Sequence, residues 1–264
     1  MNGPLGGLAP ARRRLVLVVL SLILVVGILV VAGLVVDRVR GDATADQSRL
    51  GPVVLIPGYG ADMATLDPLE EELRDLGREV VVFTPTEGGQ GDLRVQAERL
   101  AALVEDTQES DDASSVDLVG YSAGGVIARL YVREEGGGSV VRRVLTLGSP
   151  HHGSEVADLG SEAAGGCPEA CEQLTTTSDL LRRLNAGDET PEGPLWTSVR
   201  TDADETVTPV ESAVLDGALN FRVQDLCPDS TTSHGALPGD PVVLATLASA
   251  LGTKEPEEPD DVTC

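Results

Sequence analysis

Aromatic side chains are scarce, 2% of 264 residues with a single Trp196, so the core has to be built from Val, Leu, Ala and Ile. Basic groups are also in short supply: 19 Lys and Arg stand against 43 Asp and Glu, a net charge of -24. Arg12, Arg13, Arg14, Arg38 and Arg40 lie in the first 45 positions, which leaves 14 basic and 41 acidic groups, a net -27, on the remaining 219. A surface of that sign repels phosphate backbones and excludes nucleic acid as a partner. Histidine is rarer still, with only His151, His152 and His234. No internal repeat is present. What remains, 41% apolar and 23% charged, is ordinary globular composition and excludes global disorder and collagen-like structure. The length suits one α/β domain or two small ones.

One stretch departs from that average. Residues 15–36 carry no charge and one clearly polar side chain, Ser21. At 1.5 Å per residue they span about 33 Å as a helix, enough to cross a bilayer. Arg12, Arg13 and Arg14 precede the run, which predicts a cytoplasmic basic segment over 1–14, a transmembrane signal-anchor over 15–36 and export of everything beyond. A cleaved signal peptide is the alternative, since Ala43-Thr44-Ala45 fits a small-x-small site. The apolar run is longer than the usual ~7–15 residues, and Asp37, Arg38 and Arg40 intervene before that site. Both readings export the domain, after a polar linker over 37–50. All four cysteines lie on the exported side, where disulfides persist. Their spacing matches no zinc pattern and no histidine accompanies them. Cys167 is expected to pair with Cys171, pinning a short loop, and Cys227 with Cys264, fixing the C-terminal tail.

From residue 51 the pattern alternates. Short apolar runs at 53–56, 80–83, 116–119 and 140–147 read as strands, and stretches near 66–76, 93–109 and 126–133 as helices. Fully apolar strands alternating with amphipathic helices predict parallel pairing with both sheet faces covered. Between 150 and 194 the texture turns to Gly, Ser, Thr and acids, with one helix expected near 178–185. Residues 195–201 and 218–223 read as the last strands, 240–251 as a closing helix and 254–261 as a solvated, irregular tail.

The sharpest motif is Gly120-Tyr121-Ser122-Ala123-Gly124, between a strand and a helix. So tight a connection strains its central residue, and the glycines on either side leave room for the neighbouring strand and helix. Ser122 is thereby projected beyond the strand end, with a helix N-terminus behind it that favours negative charge. A serine hydroxyl needs a base to act as a nucleophile. His234, in the Ser/Thr/Gly-rich loop 230–235 before the last helix, can swing back over the strand ends. His151 and His152 follow the fourth strand and are expected near the pocket in structural roles. The acid should follow a strand between Ser122 and His234, which offers Asp202, Asp204 and Glu205. For the oxyanion, the Ala123 N–H is one donor, and the Tyr59 N–H, in the Gly58-containing loop after the first strand, is the second.

Together these residues resemble the α/β-hydrolase family, and within it the compact exported bacterial lipases and esterases. The likeness runs from about residue 51 to 251 through VVLIPGYG, VDLVGYSAGG, LTLGSPHHGS, DETVTP and SHGALPGDP. It implies an α/β-hydrolase fold over 51–252, a mostly parallel sheet of about six strands with helices on both faces, and an acidic tail over 253–264. In such lipases the aspartate that opens D-E-x-V-x-P is the triad acid, which implies Asp204. The LGSPHHG element is similar to a pocket-wall motif, which places His152 and Gly153 as structural residues. Many relatives have histidine where this chain has Pro57. The resemblance implies hydrolysis of the carboxylic esters of acyl lipids by Ser122, His234 and Asp204 through an acyl-enzyme, with no metal or cofactor. Acyltransferase, thioesterase or phospholipase chemistry would use the same triad, and a non-catalytic envelope binding protein would not need it. The acidic, Gly/Ser/Thr-rich stretch 154–194 does not describe a greasy lid and predicts short or medium acyl chains.

Overall fold

Val, Ile and Leu pack well on a pleated surface, and the short runs of them form the strands. The computed structural model describes residues 19–28 and 44–264, apart from 164 and 261. Strands β1 (Val53–Ile56), β2 (Val80–Val82), β3 (Val116–Tyr121), β4 (Val141–Leu147), β5 (Leu195–Arg200) and β6 (Leu219–Arg222) make one sheet in the order β2-β1-β3-β4-β5-β6. Every neighbouring pair is parallel.

Successive side chains of a strand point to opposite faces, and the two faces hold separate cores. Val54, Ile56, Leu118, Val144 and Trp196 pack with α2 (Leu93–Asp111) and α3 (Ala123–Glu134). Val53, Leu55, Val119, Leu145 and Phe221 pack with α1 (Asp67–Asp75) and α8 (Pro241–Ala250). The expected doubly covered parallel sheet is present.

Three local differences separate the elements from the sequence pattern. Helix α3 begins at Ala123, three residues before the apolar periodicity does. Gly124 and Gly125 are poor helix formers and hide the start, yet a Cβ at Gly124 would lie 2.2 Å from the Ile56 carbonyl oxygen. The stretch after Pro150 contains α4 (Glu155–Glu162) and α5 (Glu169–Gln173) besides the expected helix α6 (Asp179–Leu184). A four-residue α7 (Val223–Leu226) follows β6. Helix α4 buries none of its residues fully, although Ala157 packs against the core, and Ser154 caps it through a bond from the Val156 N–H.

Near the starts of β3 and β4 lies a charged cluster that local pattern does not reveal. Asp117 of β3 is fully buried and accepts from Arg78 at 2.6 Å and from Arg142 at 2.5 Å. Burial raises the Asp117 pKa, against the two guanidinium groups that lower it. Arg142 also donates to the Leu251 and Gly252 carbonyls, and Arg143 to that of Lys254, so the start of the C-terminal tail is held to β4. The tail is irregular from residue 255 on, and its end is tied by Cys227–Cys264.

The chain divides between Ala43 and Thr44 into two units. In the first, residues 19–28 are helical with exposed apolar side chains. Among the described residues no helix is long and apolar enough to cross a membrane. The rest of the 15–36 run, the 1–14 segment and the linker up to residue 43 lie outside the described residues.

Candidate active site

Strand β3 ends and α3 begins with one residue between them. Ser122 therefore takes φ 54°, ψ -125°, a strained conformation for a residue with a side chain. Its N–H donates to Leu147 O at 2.8 Å, which ties the turn to β4. A Cβ at Gly120 would lie 2.5 Å from the Gly125 nitrogen, so this crossing admits only glycine there. The strained turn aims the Ser122 hydroxyl along the line of the sheet, past the strand end.

His234 opens a 3₁₀ turn, His234–Gly239, in the loop before α8. Its Nε2 lies 3.0 Å from Ser122 Oγ and its Nδ1 lies 2.7 Å from Asp204 Oδ2. Asp204 is itself fixed, because its Oδ1 accepts from the Thr206 N–H at 2.8 Å and the Val207 N–H at 2.7 Å. A carboxylate held this way accepts from Nδ1–H and leaves Nε2 as the acceptor facing the serine. Ser122, His234 and Asp204 are each under a tenth exposed. Of the other acids in that loop, Asp202 is paired with Arg222 and Glu205 is exposed.

Several contacts that sequence reasoning missed hold the two loops in register. Ala203 pairs with Ser233 in an isolated parallel bridge. Thr201 Oγ1 donates to Thr232 O at 2.7 Å. The Gln224 amide bridges Asp202 N, Thr201 Oγ1 and Ser230 O. Tyr121, whose ring lies 5.1 Å from the imidazole, donates its hydroxyl to His234 O at 3.2 Å. Burial, then the nearby carboxylates of Asp204 and Asp62, pushes the Tyr121 phenol up to about 12.

The other expected residues fall around this centre. Gly58 lies against the serine, since a Cβ there would be 2.9 Å from Ser122 Cβ. The Ala123 N–H heads α3, where backbone donors have no intrahelical partner. His151 is fully buried and far from a free base. Thr146 donates its hydroxyl to Ser198 Oγ, so it can only accept from His151, at 3.1 Å. Nε2 of His151 therefore carries a proton, and burial, aided by Arg129 and His152, holds the pKa of the ring well below the usual range. His152 lies 2.9 Å from Glu189 Oε1 through Nε2 and touches no member of the Ser122 group. Both disulfides have the expected pairing, with Cα–Cα distances of 5.8 and 5.7 Å. Beside Ser122 opens a cavity of about 160 Å³, walled by Tyr59, Pro150, Val156, Ala157, Cys171, Leu174 and Val207.

The family model described as palmitoyl protein thioesterase matches residues 52–185, just over half of the chain. The chain belongs to that family. The match takes in Gly58, Tyr59 and Ser122, whereas Asp204 and His234 lie beyond it. Among solved structures the fold is similar to Aspergillus fumigatus lipase B, at 19% identity over 81% of this chain and 55% of that one, with a TM-score of 0.71. It is likewise similar to the mature form of Bacillus licheniformis lipase BlEst2, at 20% identity over 80% of this chain and 96% of that one, with a TM-score of 0.63. This chain thus spans little more than half of the first lipase and nearly all of the second. Both likenesses establish the α/β-hydrolase fold.

Proposed function

We propose that this chain is a serine hydrolase that cleaves carboxylic esters of acyl groups through Ser122, His234 and Asp204. The observation that carries the reading is the unbroken chain of bonds from Ser122 Oγ to His234 Nε2 at 3.0 Å and from Nδ1 to Asp204 Oδ2 at 2.7 Å. His234 takes the serine proton as Oγ attacks the acyl carbon, and Asp204 stabilises the imidazolium that forms. The amides of Ala123 and Tyr59 receive the negative oxygen of the tetrahedral intermediate. His234 then returns its proton to the leaving group, and the acyl-enzyme is hydrolysed by water that the same imidazole deprotonates.

Thioesters are the second reading, favoured by the family's description. A triad of this kind attacks either ester, and the leaving group decides the rate. Comparing kcat/KM on p-nitrophenyl esters with that on thioesters of the same acyl groups separates the two. A burst of p-nitrophenol equal to the enzyme concentration would support the acyl-enzyme. Absence of turnover on every oxygen ester and thioester would refute the reading.

Two disulfides with no free cysteine fit an extracytoplasmic protein. The uncharged run at 15–36 behind Arg12, Arg13 and Arg14 supports a membrane anchor that leaves the catalytic unit outside. Alkaline carbonate extraction of membranes tests it, and release of the intact chain into the soluble fraction would contradict it.

A further inference from the structure

We infer that Tyr121, the residue before the nucleophile, is a positioning residue for His234: its hydroxyl fixes the backbone that carries the imidazole, and its ring face supports the imidazolium that forms as Ser122 attacks. The inference rests on the hydrolase reading above and adds a part to its machinery. Tyr121 ends β3 in register with Leu147 of β4. It lies in the core between the sheet and helices α1 and α8, together with Leu237 of the His234–Gly239 turn. One strand end thus supplies both the serine and a side chain that reaches the base.

The hydroxyl and the ring do different things. Tyr121 Oη donates to His234 O at 3.2 Å, across 113 positions of chain, and so ties the first residue of that six-residue turn to the sheet. The ring centroid lies 5.1 Å from that of the imidazole, with the planes 33° apart. Rings tilted by so little cannot meet edge to edge at that separation without overlapping, so part of the Tyr121 face lies against the imidazole. An aromatic face is negative, and a cation within about 6 Å of its centroid is attracted to it. The neutral imidazole gains little from this and the imidazolium much. The support therefore grows as the serine proton moves across, and an interaction that grows toward the transition state lowers the barrier. Asp204 supports the same cation through Nδ1, in the plane of the ring. Gly148 leaves space for the imidazole, since a Cβ there would lie 3.1 Å from Nδ1.

The His234–Gly239 turn packs against the 3₁₀ turn Met63–Leu66, α1 and α8. Residues 63–66 and α8 carry no charged side chain, and α1 turns Leu69 and Leu73 inward and buries none of its charged groups. Asp62, before the first of these, is exposed, and Asp240, before α8, accepts from the Thr232 hydroxyl and the Val242 N–H. The Tyr121 phenol stays protonated, pushed up to about 12 by burial and then by Asp204 and Asp62. It meets the imidazole as a neutral aromatic, and replacing it removes no charge.

The test is the pH profile of kcat and kcat/KM on p-nitrophenyl butyrate for Tyr121→Phe and Tyr121→Leu, with the melting temperature of each as the control for folding. Tyr121→Phe keeps the ring and loses one hydrogen bond. Its kcat should fall by up to about tenfold, with the acid limb of kcat/KM where it is in the wild type. Tyr121→Leu loses the ring as well. Contact of a cation with an aromatic face is worth about five- to thirtyfold once desolvated, so kcat should fall by about that factor below Tyr121→Phe, with KM close to that of the wild type. The acid limb should move lower by about 0.7–1.5 pH units, the same factor on the pKa scale. If Tyr121→Leu does not fold, fluorinated phenylalanines at position 121 carry the test, because they keep the ring and drain charge from its face: the limb should step lower with each added fluorine. A folded Tyr121→Leu whose limb stays in place or moves higher overturns the inference even where the rate falls, as does a fluorine series with one common limb. A wild type that neither reacts with a fluorophosphonate at Ser122 nor turns over any ester overturns the hydrolase reading, and this inference with it.

Discussion

Replacing Asp204 by Asn keeps the volume, removes the charge and changes the direction in which a proton can be held. Asp204 Oδ1 accepts two backbone N–H groups, from Thr206 and Val207, while Oδ2 faces His234 Nδ1 at 2.7 Å. An Asn amide can satisfy those two donors only with its oxygen, so its NH₂ group has to face the imidazole. His234 then accepts at Nδ1 and carries its proton on Nε2, toward Ser122, where it cannot act as a base. Turning the amide over restores the useful tautomer but sets NH₂ against two N–H donors. At about 1–3 kcal/mol for each buried donor left without an acceptor, the turn costs about 2–6 kcal/mol. With 1.36 kcal/mol per decade of rate, and with the carboxylate's support of the imidazolium also lost, kcat/KM should fall by about 10³ to 10⁴. Hydrolysis of p-nitrophenyl butyrate measures the rate, and the melting temperature controls for folding. That temperature should move by no more than a few degrees, because both backbone donors keep an acceptor. A folded Asp204→Asn enzyme within tenfold of the wild type would refute the assignment of Asp204 and the tautomer argument with it.

Three further outcomes follow from the buried groups and the cross-links. Asp117→Ala strands the Arg78 and Arg142 guanidinium groups in the interior and should cost about 3–5 kcal/mol in urea denaturation; a loss below 1 kcal/mol would contradict the role given to this cluster. His151 has a pKa well below its unfolded value of about 6.5, so below that pH the unfolded chain binds a proton that the folded one does not. Stability should therefore fall with acidification below pH 6.5, by up to about 1.4 kcal/mol per unit from this group; a His151→Gln variant should lose that part of the slope, and parallel profiles for the two proteins between pH 6.5 and 5 would refute it. Cys227→Ser with Cys264→Ser frees a link across 37 residues and should lower stability by about 2–4 kcal/mol, read from the same denaturation curves, with no change marking the link as idle.

The parts of the molecule that could be read in advance are those whose signal is local. Apolar strands such as 53–56 and 116–119 announce a buried parallel sheet because both faces must be covered. Ser122 was legible because glycines two positions either side of it, between a strand and a helix, describe one backbone geometry. The rarity of histidine did much of the rest, since only His234 follows the acidic loop. The choice of Asp204 over Asp202 came from likeness to a family, and the two N–H bonds to its Oδ1 now supply a physical reason for the geometry. What escaped depends on contacts between distant residues. Asp117 meets Arg142 and Arg78 across 25 and 39 positions, and no window of sequence pairs them. Helices α4 and α5 are eight and five residues long, shorter than the window of about 11–18 residues in which a hydrophobic period is read. The Gln224 bridge between the acid and histidine loops is invisible for the same reason as the Asp117 cluster.

The central claim is that Ser122 is a nucleophile activated by His234. Mixing the folded protein with a fluorophosphonate and mapping the modified peptide by mass spectrometry tests it most directly. One adduct per chain is expected, on Ser122, that Ser122→Ala abolishes and His234→Ala slows by at least a thousandfold. An unlabelled wild-type protein, or an adduct that persists at another residue in Ser122→Ala, would contradict it.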